Sequence, residues 1–292
     1  MQSLFDLKTG QELLAPKDLP LFAITLRHAQ SKEEKHLASD TGWQQVKLQK
    51  THDGFTLDWQ RPSDNRLKGV RVMAKAISES RSRAWRWTLG VDGVGSEWSV
   101  WRVVFPQVAL SEPGEKGVVL FPRGPGELKR DVWHQAFSFR GAYPNGWCSM
   151  QLMAAYGEAR EKQPATGLYF AMHDPFGSTK DIVMQSDPGS RSVQMAFDHP
   201  VPDMGRAGND FTLSGEAVWQ LLRGDWFDAA MIYKTWARKS VRWWPRLTAE
   251  GREDTPLWMR ELSAWALGGG APGECVSAVK EFARFLGVPT GF

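Results

Sequence analysis

Cysteine is nearly absent: the 292 residues hold only Cys148 and Cys275. They lie far apart and have no metal-ligating neighbours, which argues against a disulfide-stapled scaffold or a zinc cluster. Two buried thiols are expected, and a disulfide between them has weak support. Net charge is also small, at +3. No basic stripe appears, so nucleic acid is not an expected partner. No apolar run approaches the roughly 20 residues of a membrane span, so no membrane partner is expected either. Met1 to Thr9 lacks the apolar stretch of a signal peptide. Localisation stays open, because Met1 leads straight into Leu4-Phe5-Asp6, which reads as the inside of a strand. The chain has no H-x-x-x-H or paired Cys/His spacing, no G-x-S-x-G elbow and no G-x-x-x-x-G-K-[ST] loop. Metal hydrolysis, elbow-type acyl transfer and nucleotide hydrolysis lose their usual signatures, and neither a cofactor nor a metal is expected. Nothing in the sequence speaks to oligomeric state.

What is present is a globular balance, 42% hydrophobic and 24% charged, in a chain long enough for a sizeable core. Tyrosine is scarce, at 4 residues, but there are 15 Trp and 15 Phe. Tryptophan offers a flat face on which the C–H side of a sugar ring packs. The plainer alternative is that these rings fill a large β core.

Strand signals follow one another through the first two thirds. Leu4 to Leu14 reads as strand, turn and strand, and Leu21 to Leu26 alternates apolar with polar. The charged run Ser31 to His36 reads as a solvated loop. Val46 to Lys50 and Phe55 to Trp59 flank a Thr51-His52-Asp53-Gly54 hairpin signal. Further strands are read at Val70 to Ser78, Trp85 to Leu89, Trp98 to Phe105, Val118 to Phe121, Ser149 to Tyr156, Gly167 to His173, Asp181 to Gln185 and Ser192 to Phe197. With almost no helical period among them, they predict a mainly β fold, a large antiparallel sandwich.

The pattern changes at Gly224. Asp225 is placed to cap a helix, and Trp226, Ala229, Ala230, Tyr233, Trp236 and Ala237 recur at helical spacing. Leu262 to Leu267 reads as a buried parallel strand, Gly273 to Leu286 as a helix closed by Gly287, and Val288 to Phe292 as the start of a second strand. The expected organisation is a sandwich over residues 1–223, a connecting helix and linker over 224–256, and the first β-α unit of an incomplete (β/α)8 barrel over 257–292. A whole barrel needs roughly 200 residues more, so the sequence is expected to be part of a longer protein.

The segment Gly224-Asp225-Trp226-Phe227-Asp228-Ala229-Ala230-Met231-Ile232-Tyr233-Lys234-Thr235-Trp236-Ala237 resembles the junction segment of glycoside-hydrolase-like proteins of the DUF6259 type, which are akin to endo-α-N-acetylgalactosaminidases. Trp101 to Pro106, Tyr143-Pro144, Ser149 to Gln151, Gly167 to Asp174 and Val288-Pro289 are similar to that family as well. The resemblance implies a galactose-mutarotase-like β-supersandwich ahead of a TIM barrel, with glycans as the partner and glycosidic bonds as the substrate. It transfers no catalytic carboxylate, because the family's barrel carboxylates would fall beyond Phe292.

Glycoside hydrolysis needs two carboxylates facing each other across the scissile bond. The one complete barrel strand end read here offers Trp265, an aromatic platform, and the nearest acid, Glu274, more simply complements a helix dipole. His173 and Asp174 follow an apolar strand and precede a turn. They either face a sugar, or form a satisfied strand end and an Asx-turn before Pro175. Trp133 and His134 pose the same choice. A mutarotase-like reaction at His173 would need an acid that the sequence does not place. The substrate-binding candidates are thus Trp265, His173, Asp174 and Tyr143, and no catalytic residue is assigned. Two functions are carried forward: part of a glycoside hydrolase whose carboxylates lie elsewhere, or a non-catalytic carbohydrate-binding or scaffold sandwich.

Overall fold

The computed structural model describes residues 3–17, 19–80, 82–114, 116–158, 165–268 and 270–292. The chain divides into two compact units, residues 1–242 and 243–292.

The first unit is built on two antiparallel sheets. The larger has ten strands. From edge to edge it runs Glu127–Arg130, Val118–Phe121, Leu152–Tyr156, Gly167–His173, Glu216–Leu222, Ala84–Asp92, Arg71–Glu79, Gly54–Pro62 and Trp43–Lys50, with Phe211–Thr212 paired to Ala84–Asp92. The smaller has six, in the order Ser138–Tyr143, Lys180–Asp187, Ser192–Pro200, Trp98–Ser111, Ala23–His28 and Glu34–Ala38. The expected hairpin forms, with Lys50 opposite Phe55 and Thr51 N–H bonded to Gly54 O at 2.9 Å.

Aromatic rings fill the space between the sheets. Phe170 of the larger sheet stacks on Phe197 of the smaller at 5.3 Å and 11°. Trp219 packs on Phe170, Trp87 on Trp219, and Phe55 on Trp87. Five tryptophans, at 59, 87, 98, 133 and 219, are core residues, so for them the plainer reading of the aromatic content holds.

The outer faces of the two sheets differ. That of the smaller sheet is solvated and carries a cross-strand network, in which Arg102 and Arg140 each bridge Asp181 and Asp198 at 2.6–3.0 Å. The larger sheet is covered at its centre by the helix α1, Trp226–Ser240. Ala229 packs there with Leu152, Ala154, Tyr169, Ala171, Val218 and Leu222, and Ile232 and Tyr233 lie alongside. Burial on both faces explains why Leu152–Tyr156 and Gly167–His173 are buried along their whole length and read as unbroken apolar runs. Asp225 caps α1 by accepting Phe227 N–H at 2.8 Å, and Asp228 accepts Asp225 N–H in return at 3.1 Å, a capping box.

One expectation is corrected. The run read as a solvated loop over Ser31 to His36 contains the start of the edge strand Glu34–Ala38. Only Leu37 of that strand is buried, and its charged neighbours face water, as suits a strand with a single partner.

The second unit holds the two-residue strands Leu247–Thr248 and Gly251–Arg252, the short helix α2 at Leu257–Arg260, and a β-α-β element. Ala264–Trp265 pairs in parallel with Thr290–Gly291, and the helix α3, Pro272–Leu286, connects them. Gly287 ends α3 in the left-handed conformation, φ 65°, with its N–H on Ala283 O. This is the connectivity with which a (β/α)8 barrel opens. Both cysteines are buried thiols. No described helix is long and apolar enough to cross a membrane.

Candidate functional site

A cleft of about 730 Å³ lies between α1 and the outer face of the larger sheet, and His173 forms part of its wall. Gly167–His173 carries Tyr169 and His173 on one face, since alternate strand residues share a side. The His173 ring stacks on Trp236 of α1 at 4.4 Å and 14°. Tyr233, one helical turn earlier, lies 5.3 Å from Trp236 and accepts Gln151 N–H at its hydroxyl, 3.3 Å.

The hydrogen bonds of His173 fix its tautomer. Arg86 Nη1, which can only donate, lies 3.5 Å from Nδ1. Nδ1 is therefore the acceptor, and the proton sits on Nε2, 2.9 Å from the Tyr169 hydroxyl. Burial, and secondarily the Arg86 charge, push the pKa of His173 from 6.5 down to about 3. Arg86 is itself held by Glu79 at 3.2 Å and Glu216 at 3.3 Å. Burial drives the Tyr169 phenol well above its ordinary value. His173 is thus a neutral, oriented wall near neutral pH.

The remaining polar lining includes Gln220, Arg223, Asp228, Thr235 and Lys239. Arg223 pairs with Asp6. Burial pushes the Asp6 carboxyl up, but Arg223, Thr166 and Thr9 outweigh it and hold the group well below the usual range. Among the described residues Asp228 is the single carboxylate lining the cleft, and it caps α1. Glycoside hydrolysis commonly uses two carboxylates across the scissile bond, and the described lining of this cleft holds one. Among the described residues, no group of three or more His, Cys, Asp or Glu is placed to hold a metal.

Asp174, next in the chain, takes no part in the cleft. It is fully buried and accepts four bonds: Phe176 N–H at 3.0 Å, Ser178 N–H at 2.7 Å, Ser214 Oγ at 2.8 Å and Lys180 Nζ at 3.0 Å. The Phe176 bond is an Asx-turn. Gly215 lies against this backbone with φ 70°, where an added Cβ would stand 2.4 Å from His173 O. Tyr143 is buried in the same hub, its ring 4.8 Å from Lys180 Nζ. Asp174 and Tyr143 therefore come together around Lys180, while His173 belongs to the cleft on α1.

In the second unit, Trp265 is half exposed and its ring lies over Gly291, where an added Cβ would come within 2.8 Å of it. Glu274 accepts Ala271 N–H at 3.1 Å, the role of a residue at the start of a helix. His134 bonds to Asp131 at 3.0 Å, and Trp133 is buried with its indole on Leu110 O.

Sequence reasoning missed Lys180, Arg86 and the pairing of His173 with Trp236. The aromatic stripe of α1 pointed at Trp236 but not at its partner. No local pattern marks a lysine that will be buried.

If the wall reading is right, Trp236→Ala uncovers His173, and its pKa climbs from about 3 toward 6.5. A histidine NMR titration reads this directly. An unmoved titration would show that the sheet and Arg86 hold His173 without help from the helix.

Comparison with known proteins agrees with this fold. Residues 211–292 match the family model described as Domain of unknown function (DUF6259). A Monosiga brevicollis protein named "Putative glycoside hydrolase 22789" is 28% identical over 170 residues, which are 57% of this chain and 14% of that protein. The α-N-acetylgalactosaminidase NagBb of Bifidobacterium bifidum, solved with GalNAc, superposes with a TM-score of 0.59 at 12% identity, over 80% of this chain and 37% of NagBb. A quadruple mutant of NagBb gives 0.56 at 14% identity, over 82% and 38%. At these identities the structural likeness shows a shared fold. The resemblance to DUF6259 proteins is shown over residues 211–292, and the mainly β fold is similar to that of glycosidases. The chain spans well under half the length of each of these relatives.

Proposed function

We propose that this chain is the sandwich-bearing part of a glycoside hydrolase that cleaves O-glycosidic bonds in glycans, with its catalytic carboxylates outside these 292 residues. The observation that carries the reading is the parallel Ala264–Trp265 and Thr290–Gly291 pair joined by α3. Phe282, Phe285 and Leu286 of α3 are exposed within their own unit, as is Val276. An apolar helix face of this kind is what further β-α units of a barrel cover. The share of each relative that the chain spans supports the same reading.

In this arrangement the sandwich holds or buttresses. The cleft on α1, with its neutral His173–Trp236 wall, is the glycan-facing surface of the first unit. Trp265, at a barrel strand end, is the platform in the second. The domain limits 1–223, 224–256 and 257–292 are the working division, with α1 the piece that joins the sandwich to the barrel.

The alternative is a non-catalytic carbohydrate-binding sandwich, favoured by the single, helix-capping carboxylate among the described residues of the cleft. The deciding experiment expresses the chain with whatever coding sequence continues in frame past codon 292 and assays aryl glycosides. Hydrolysis by the longer product, absent from the 292-residue chain, is the expected result. Hydrolysis by the 292-residue chain alone would overturn the assignment of the carboxylates. No continuing frame, or no hydrolysis by the longer product, would overturn the enzyme reading and leave glycan binding as the function to measure.

A further inference from the structure

A second cleft, of about 810 Å³, opens at one end of the sandwich, where the segments after Gly167–His173 and Ser192–Pro200 meet Phe211–Thr212. His199 is part of its wall and is 5% exposed. Its Nε2 lies 2.8 Å from Phe105 O. A carbonyl only accepts, so Nε2 carries the proton and Nδ1 is left with a bare lone pair. No hydrogen bond among the described residues reaches that Nδ1. Burial, and after it the charge of Lys180, bring the pKa of His199 from 6.5 to about 4, so the ring stays neutral at neutral pH. That lone pair is open to the cleft and not sealed in the core, so a donor arriving there can reach it.

The rest of the lining narrows the donor. Phe211, Val201 and Met204 supply apolar surface, and the Phe211 ring is centred 6.0 Å from that of His199. Thr179 and Thr212 add hydroxyls. Among the described residues that line it, Asp203 is the one carboxylate, and no lysine or arginine contributes. An anion would meet a lone pair and no cation, and an aliphatic chain would leave Nδ1 unmet. A pyranose offers both an apolar C–H face and hydroxyl donors in one ring. The floor is already rigid, because Ser178 N–H and Ser214 Oγ are tied to the buried Asp174 at 2.7 and 2.8 Å. Little ordering is left for binding to impose.

We propose that this cleft binds a neutral sugar ring, its C–H face on Phe211 and Met204 and one hydroxyl donating to His199 Nδ1. The site is separate from the cleft on α1 and does not depend on the proposed enzymatic function.

The test titrates the full chain, labelled with ¹⁵N-histidine, with galactose, glucose and N-acetylgalactosamine. A saturable shift of the His199 Nδ1 resonance is expected with at least one of them. His199→Gln keeps an N–H donor for Phe105 O and exchanges the Nδ1 acceptor for an amide oxygen at a different place. It should melt like the parent and bind that sugar about tenfold more weakly, the equivalent of about 1.4 kcal/mol. Thr212→Val, at an exposed position, should weaken binding severalfold and decides the matter if His199→Gln does not fold. Trp236→Ala should leave this binding unchanged. The proposal is overturned if no sugar moves the His199 resonance, or if the folded His199→Gln or Thr212→Val variant binds as the parent does.

Discussion

Lys180→Ala should lower the unfolding free energy by about 3–5 kcal/mol, the range for breaking a buried ion pair from one side. Lys180 is 1% exposed, and its ammonium donates to Asp174, to Gln151 Oε1 at 2.7 Å and to Ser178 O. All three of its protons are therefore in use. Removing the side chain leaves a fully buried carboxylate with only neutral donors, and leaves Gln151 Oε1 unmet. The hub also ties the two sheets together, because Lys180 begins a strand of the smaller sheet while Asp174 follows a strand of the larger. Pairing Lys180→Met with Asp174→Asn removes both charges and should cost clearly less than the two single changes added, a coupling that urea unfolding of the cycle measures. Additive costs would mean that the charges do not act on each other.

The pH dependence of the hub has a definite sign. Burial pushes Asp174 up, but Lys180, Ser214 and Phe176 N–H outweigh it and hold the carboxyl below its ordinary 3.8. Its contribution is fully present above the unfolded value and is lost as pH falls through the folded one. Without Lys180 the carboxyl loses its largest opposing influence, so the acid limb of Lys180→Ala should move to higher pH.

Acid should begin to act on the parent earlier than any carboxylate permits, and this is the second large effect. The pKa values of His173 and His199 fall from 6.5 when unfolded to about 3 and about 4 in the fold. Below pH 6.5 the unfolded chain therefore binds protons that the native chain refuses, and stability falls as pH falls. Each group contributes about 1.4 kcal/mol per pH unit. The combined slope approaches about 2.7 kcal/mol per unit between roughly pH 5.5 and 4. The His199 contribution ends near its folded value of about 4 and that of His173 near about 3. Urea unfolding from pH 7 to 4 measures the slope, and His199→Gln should roughly halve it. A flat profile over that window would show that both rings admit a proton without unfolding.

The parts of this architecture that could be read in advance are those buried on at least one full face. Gly167 to His173 and Ser192 to Phe197 stood out because sheet neighbours on both sides, and in the first case α1 as well, require apolar residues along them. The strands that escaped notice sit largely at the margins: Glu34–Ala38, Glu127–Arg130 and Ser138–Tyr143 are edges, and Phe211–Thr212 is a two-residue addition. An edge needs only one anchored residue, so Leu37 alone could hold its strand while Lys35 and His36 read as loop. The same asymmetry governed the sites. His173 could be singled out as a polar residue ending an apolar run. Its aromatic partner 63 positions along the chain, and the lone pair that His199 keeps, follow from tertiary pairing that no local pattern carries.

The cover that α1 provides also decides how the sandwich can be handled. Excising it at the end of the last long strand, before Gly224, would strip Ala229, Ile232 and Tyr233 from Tyr169, Ala171 and Val218 and leave a greasy window in the middle of the larger sheet. A soluble fragment therefore has to carry the helix through Ser240, which makes α1 the lid of the sandwich's second core.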